Sequence, residues 1–250
     1  MRVNGCSYSE IAARFKTPKS AIFYHASRVK VSPKGKRRLE MIRKKVLEKA
    51  VLGRKTKISK RYKKMTKAKA RLIAHLLGDG GTYKNHISYR NSELSLIKQF
   101  VRDFQSVYGV KPWKIYWDKD KFTVGSGITE IVQDLRRYDT GKIPPQIMNA
   151  SKEIQKEFIR AFSDDEGGPL TRNRIRITST NESYLTGISR MLKSFGIQSV
   201  VNGPYDAYLL DINRKESVLK YIYLIGFSHP EKARKAKQIG RLLSGVATSS

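Results

Sequence analysis

Leu72-Ile73-Ala74-His75-Leu76-Leu77-Gly78-Asp79-Gly80-Gly81 and Ile159-Arg160-Ala161-Phe162-Ser163-Asp164-Asp165-Glu166-Gly167-Gly168 are two helical apolar stretches, each ending in an acid and two glycines. The acids Asp79 and Glu166 stand 87 residues apart. Outward from each motif comes a polar segment that reads as a strand pair. A helix follows, ending in Tyr108-Gly109-Val110 or Phe195-Gly196-Ile197, and these glycines are again 87 apart. Each half then offers a hairpin, Trp113–Asp118 with Lys121–Ser126 and Gln198–Asn202 with Tyr205–Ile212, and a closing helix, Thr129–Tyr138 or Lys215–Leu224. The order helix, two strands, helix, two strands, helix occurs twice. It predicts an α+β body of two pseudo-symmetric αββαββα halves, residues 66–148 and 149–242, with a flexible tail over 243–250.

Thr66 is placed to cap the first motif helix. Ala70, Ala74 and Gly78 recur every four residues, a small-residue stripe against which another helix can lie closely. Ala161 matches it in the second helix, but Asp165 stands where the first has Gly78. Asp79 and Glu166 fall at helix C-termini, where free carbonyls already carry partial negative charge, so the carboxylates there call for a cation. A divalent metal held by carboxylates and a carbonyl oxygen resolves the conflict. The candidate ligands are Asp79, Glu166, Asp165 and Gly78. Asp164 and Asp165 are adjacent and cannot both point where Glu166 points, which gives them a supporting role.

The chain has 250 residues, with 51 Lys+Arg against 21 Asp+Glu, a net charge of +30. Such an excess implies a polyanionic partner, nucleic acid first. A lone cysteine, Cys6, excludes a disulfide framework and a four-thiolate zinc site. No apolar run approaches the ~20 residues of a membrane helix. The polar start Met1-Arg2-Val3-Asn4-Gly5 lacks the pattern of a secretory signal. A cytoplasmic, nucleoid-associated location without membrane contact is the expectation. Residues 1–70 hold 23 basic residues against 3 acidic, the rest 28 against 18. The excess lies ahead of the body.

Residues 1–32 read as a helix-turn-helix head. Ser7 and Glu10 form a capping box, Ile11, Ala12 and Phe15 an apolar face, and Thr17 a cap for a second helix with Pro18 at its first position. Ala21, Ile22 and Val29 are expected to pack inward, leaving Lys19, Ser20, Tyr24, His25 and Arg28 to face DNA. Residues 33–65 read as a basic helix around Leu39–Leu47 and a basic linker through Arg54, Lys55, Lys57, Lys60 and Arg61. In the body, the alternating segments Tyr83–Arg90 and Arg172–Thr178 offer Tyr83, Lys84, Asn85, His86, Ser88, Arg90, Arg172, Arg174, Arg176 and Thr178 to the major groove. Lys114 and Lys121 join them. Trp113, Tyr116 and Trp117 are assigned to core or rim, and His75 to packing.

Gly78-Asp79-Gly80-Gly81 and Phe158-Ile159-Arg160-Ala161-Phe162-Ser163-Asp164-Asp165-Glu166-Gly167 resemble the paired motifs of single-chain LAGLIDADG homing endonucleases, the likeness running over about 66–240. The resemblance implies motif helices packed side by side, two antiparallel sheets forming a saddle over DNA, and the last acid of each motif at the scissile phosphates. It implies double-strand cleavage of a long asymmetric site by a monomer using Mg²⁺, with Mn²⁺ as a substitute. By position Lys142 and Lys232 resemble the family's auxiliary lysines. Two carboxylates without a nucleophilic side chain suit metal-activated water. The alternatives are a DNA-binding regulator that does not cut and a maturase acting on intron RNA. Cys6 is not the first residue and the chain ends without His-Asn, so an intein is not expected.

Overall fold

The computed structural model describes residues 1–53, 58–168, 170–171, 174–204 and 206–244. Arg172, the linker residues Arg54, Lys55 and Lys57, and the tail from 245 lie outside the described residues. The chain forms two compact units, Met1–Thr56 and Lys57–Ser250.

The first unit is helical. Helix α1 (Tyr8–Phe15) opens on the capping box: the Ser7 amide donates to Glu10 Oε2 (2.6 Å) and the Glu10 amide to Ser7 Oγ (3.2 Å). Helix α2 (Lys19–Ala26) does not begin as expected. Pro18 is its N-cap, with no side-chain cap, because the Thr17 hydroxyl turns back to the Phe15 carbonyl (2.9 Å). Phe15 and Val29, expected inside, are exposed, since two eight-residue helices enclose little beyond Ile11. Lys19, Ser20, Tyr24, His25 and Arg28 are all exposed. Helix α3 (Pro33–Gly53) runs longer than the periodicity indicated. Its Gly35 is buried against Gly5, whose φ of +78° and missing side chain allow the contact.

In the second unit the first half comprises α4 (Lys67–Leu77), β1 (Gly80–Thr82), β2 (Ile87–Asn91), α5 (Leu94–Tyr108), β3 (Tyr116–Asp118), β4 (Lys121–Ser126) and α6 (Thr129–Arg136). A short α7 (Pro145–Met148) leads to the second half: α8 (Lys152–Glu166), β5 (Ile175–Ser179), α9 (Glu182–Ser194), β6 (Val200–Asn202), β7 (Tyr208–Ile212) and α10 (Lys215–Lys220). A π-helical turn (Tyr221–Ile225) and α11 (Pro230–Ser244) follow. Both sheets are antiparallel, ordered β1-β2-β4-β3 and β5-β7-β6. In the second, the strand expected after the motif is reduced, among the described residues, to the bridges Gly167↔Ile177 and Thr171↔Arg174.

Thr66 caps α4, its hydroxyl accepting from the Lys69 amide (3.2 Å). The two motif helices α4 and α8 pack against each other through their small residues, Ala70, Ala74 and Ala161 being buried. A Cβ on Gly78 would lie 3.0 Å from Asp165 Cβ. The close approach therefore persists at the end where Asp165 replaces a small residue, because Gly78 gives up its side chain there. Further along, Arg71 of α4 grips Asp103 of α5 through two bonds (2.6 and 2.7 Å) and Glu157 of α8 (2.7 Å), tying the halves together. The strands keep one face on this core: Ile87, Tyr89 and Asn91 are buried while Ser88 and Arg90 between them are half-open.

Candidate active site

Asp79 follows the last turn of α4 and Glu166 is the last residue of α8, so close packing of the helices brings the two acids to one place. Burial, with Asp165 behind it, pushes the Asp79 carboxyl up to about 6. Burial, then the charges of Asp79 and Asp165, push Glu166 up to about 7. Two lysines oppose these shifts at both acids, Lys121 and Lys232. Lys121, on β4, places its Nζ 3.9 Å from Asp79 Oδ1.

Lys232 comes from α11. Its Nζ donates to the carbonyls of Ser163 (3.1 Å) and Asp164 (2.6 Å), closing the last turn of α8 with a cation where the helix is most negative. Burial lowers its pKa, against the pull of Asp164, Asp165, Asp79 and Glu166. Lys142 is not brought there. It is exposed in the connection between the halves, where it lines a surface cavity with Glu182 and Arg190. Lys121, assigned from its strand position to DNA contact, stands beside Asp79.

Asp165 is occupied otherwise than expected. Its Oδ2 lies 2.8 Å from His75 Nδ1, and its Oδ1 accepts from the Tyr89 hydroxyl (2.7 Å) and Asn91 Nδ2 (3.3 Å). With its side chain fully buried and both oxygens taken, Asp165 is an internal partner rather than a metal ligand. Burial opposes a charge on His75, but Asp165, by Coulomb attraction and the hydrogen bond, with Asp164 and Asp103 adding, raises its pKa. His75 thus holds Asp165 through a buried hydrogen bond as well as packing beside Tyr89 (4.6 Å between ring centres). Asp164 accepts the amides of Ser228 and His229 (3.0 Å each), fixing the chain that leads into α11. Burial, only partly offset by those bonds, leaves its carboxyl near 6.

Asn91, at the end of β2, is the site residue that sequence reading missed. Its Nδ2 donates to Asp79 Oδ2 (3.0 Å) while its Oδ1 accepts from the Glu93 amide (2.8 Å), so it fixes the Asp79 rotamer. No spacing rule marks a strand-end Asn twelve residues past an acid. The alternation of Ile87, Tyr89 and Asn91 toward the helices was its one available signal.

Around the acids, the expected DNA-facing residues divide. Tyr83, Lys84, Asn85 and His86 form the turn between β1 and β2, closed by a bond from the Tyr83 amide to the His86 carbonyl (2.8 Å), instead of continuing a strand. Ser88 and Arg90 sit on the open face of β2, and Lys114 is exposed. Arg176 and Thr178 lie on the face of β5 opposite its buried Ile175 and Ile177, with Arg174 exposed just ahead. Arg176 is engaged in a two-bond pair with Asp211 (2.7 and 2.8 Å), and Arg174 lies 4.0 Å from the same carboxylate. Trp113, Tyr116 and Trp117 are 44–56% exposed, hence rim and not core.

The family model described as LAGLIDADG-like domain matches residues 153–226. Probable translation initiation factor IF-2 of Methanocaldococcus jannaschii is 31% identical over 100 residues, which is 40% of this chain and only 8% of that protein. Among solved structures, the homing endonuclease I-DmoI in complex with DNA and Ca is similar with a TM-score of 0.55 at 20% identity, over 69% of this chain and 97% of that one. Full-length DUF199/WhiA from Thermatoga maritima gives 0.55 at 15% identity, over 74% and 62%. At such identities the likeness is one of fold. Residues 153–226 are a LAGLIDADG-like domain, and the two-motif body that contains them has the LAGLIDADG fold.

Proposed function

We propose that this chain is a divalent-metal-dependent endonuclease that recognises a long asymmetric site in double-stranded DNA and cuts both strands, acting as a monomer in the cytoplasm. The observation that carries the reading is the meeting of Asp79 and Glu166 at the ends of two packed helices, each pushed up in pKa by burial and neighbouring carboxylates. Two such acids, with helix carbonyls around them and all-oxygen donors, suit Mg²⁺ or Mn²⁺. Among the described residues no cluster of three or more His, Cys, Asp or Glu forms a protein-only cage, which fits a metal whose remaining ligands come from phosphate and water. Asp79 and Glu166 would hold it, and bound there it would lower the pKa of a water and offset charge on the phosphate.

The chain's own groups do the rest. Asn91 keeps the Asp79 carboxylate in one rotamer. Lys121 and Lys232 bring positive charge to where the phosphate gains negative charge in the transition state. Ser88, Arg90 and Thr178 offer hydrogen-bonding groups on the open sheet faces to phosphates and base edges. The I-DmoI structures, solved with DNA and with Ca or Mn, support the same partners here. The equal fold likeness to WhiA favours one second reading, a DNA-binding regulator that does not cut.

Incubation with DNA spanning the chain's own coding locus, with the coding segment removed, separates the readings. Mg²⁺-dependent double-strand cuts that vanish in EDTA are expected. Binding without cuts under any divalent metal would establish the regulator, and selective binding of the transcript would establish the maturase.

A further inference from the structure

We propose that Tyr83, His86 and Trp113 form a stacking platform that takes an unpaired base of DNA, at the end of the first sheet remote from Asp79. The inference rests on nucleic-acid binding and not on cleavage.

The three rings follow one another across the open face. Tyr83 and His86 are stacked, with ring centres 4.5 Å apart and planes 13° from parallel, and His86 lies 5.8 Å from Trp113 at 31°. The register shows why the rings lie on that face. Gly81 pairs with Ser88 and Ser88 with Gly125, so these three form one row, opposite the face that buries Tyr89 and Val124. Tyr83 covers Gly81 and Trp113 covers Gly125: a Cβ at Gly81 would lie 2.9 Å from Tyr83 Oη, and one at Gly125 would lie 3.1 Å from Trp113 Cε3. Gly81 thus makes the seat for Tyr83, while at Gly125 the Ile87 carbonyl excludes a side chain first and Trp113 lies over the space left. Although seated, the rings stay open, Tyr83 51% exposed and Trp113 44%.

Packing alone does not account for leaving this much aromatic surface in water. Exposed Lys84 and Lys114 in the adjoining loops supply the charge that a phosphate backbone requires. Aromatic faces beside lysines are the chemistry of an unstacked base with its flanking phosphates, whereas a paired base in a duplex presents only its edges. In the 87-residue register of the repeat, the second half has Leu170, Asn173 and Val200 in place of the rings. The platform therefore belongs to one end of the site only. Asn91 contacts Asp79, and His86 lies five residues earlier, about 16 Å along the chain or about five base steps.

The chain has two tryptophans, so Trp117→Phe leaves Trp113 as the sole reporter. In the full chain, Trp113 emission should be quenched by single-stranded DNA and by a duplex with an internal unpaired bubble, and little by a closed duplex. Trp113→Ala should weaken binding of the bubble DNA about tenfold while changing closed-duplex binding less than twofold, and Trp113→Phe should restore most of it. Tyr83→Leu, at a half-exposed position, should act in the same direction without unfolding the sheet. Equal losses on bubble and closed duplex, or no quenching by unpaired DNA, would overturn the proposal. Tighter Trp113-dependent binding of RNA than of DNA would overturn the assignment to DNA. Because none of these measurements needs metal, they stand or fall apart from cleavage.

Discussion

Replacing Asp79 with Asn, or Glu166 with Gln, should stabilise the metal-free protein at alkaline pH while removing its activity. Burial and nearby carboxylates raise Asp79 from 3.8 to about 6 and Glu166 from 4.5 to about 7. Taken at face value, each ionised carboxylate opposes folding by about 3 kcal/mol. The Asp79 side chain keeps 31% of its surface open, so solvent screening reduces the expected gain to about 1–2 kcal/mol per substitution, or about 5 °C in melting temperature. The sign follows from proton binding. A carboxyl with a higher pKa when folded holds more protons in the native chain, so stability falls as pH climbs from about 4 to about 7. The advantage of the variants should thus be full at pH 8 and fade toward pH 4. The double variant should gain less than the sum, because each acid disfavours the other. Thermal melting in EDTA across this range measures it, and Mg²⁺ or Mn²⁺ should then raise the wild type alone. Variants that melt at or below the wild type at pH 8 in EDTA would refute the account of two mutually strained acids.

Lys232→Met should lower single-turnover cleavage at least tenfold with DNA affinity nearly unchanged, and should cost about 2 kcal/mol as the Ser163 and Asp164 carbonyls lose their cation. Gly78→Val should cost about 1–3 kcal/mol in urea denaturation, since its Cβ would press on Asp165 across the helix contact. Removing residues 1–56 should make the salt dependence of DNA binding shallower, by about 0.9 in log–log slope for each phosphate that the head no longer neutralises, with cleavage of a short site at low salt preserved. A truncated chain that binds normally but cannot cut would show that the head takes part in the chemistry.

The body was legible because its signals are periodic and doubled. Two copies of an apolar helix ending in an acid and glycines fix the helix pair, and the alternation of Ile87, Tyr89 and Asn91 fixes which strand face is buried. Asp79 and Glu166 follow from the same repetition. Of the residues around them, Lys232 came only through the family resemblance and Asn91 not at all, because both arrive from distant parts of the chain. Lys232 reaches the last turn of α8 only because Asp164 anchors the segment before α11, and Asn91 reaches Asp79 only through the register of β2. Lys142 had the right charge at a plausible position, but charge is too common here, 51 basic residues in 250, to select one. The head misled at Thr17 because a hydroxyl before a helix can serve the following amides or the preceding carbonyl, and the sequence does not say which.

Where the repeat breaks, the break falls at the chemistry. Gly78 and Asp165 occupy matching positions, and the missing side chain of one makes room for the carboxylate of the other. A buried carboxylate is costly unless fully bonded, and His75, Tyr89 and Asn91 meet that need from the first half alone. Asn91 then spans Asp165 and Asp79, so the exception in the second motif is wired to the acid of the first. Lys121 and Lys232, the latter from an added helix, oppose the raised pKa of both acids. The two acids nevertheless differ, Asp79 being bonded to Asn91 and raised to about 6 while Glu166 is raised to about 7. Pseudo-symmetry thus sets where the acids meet, and the residues around them do not repeat it.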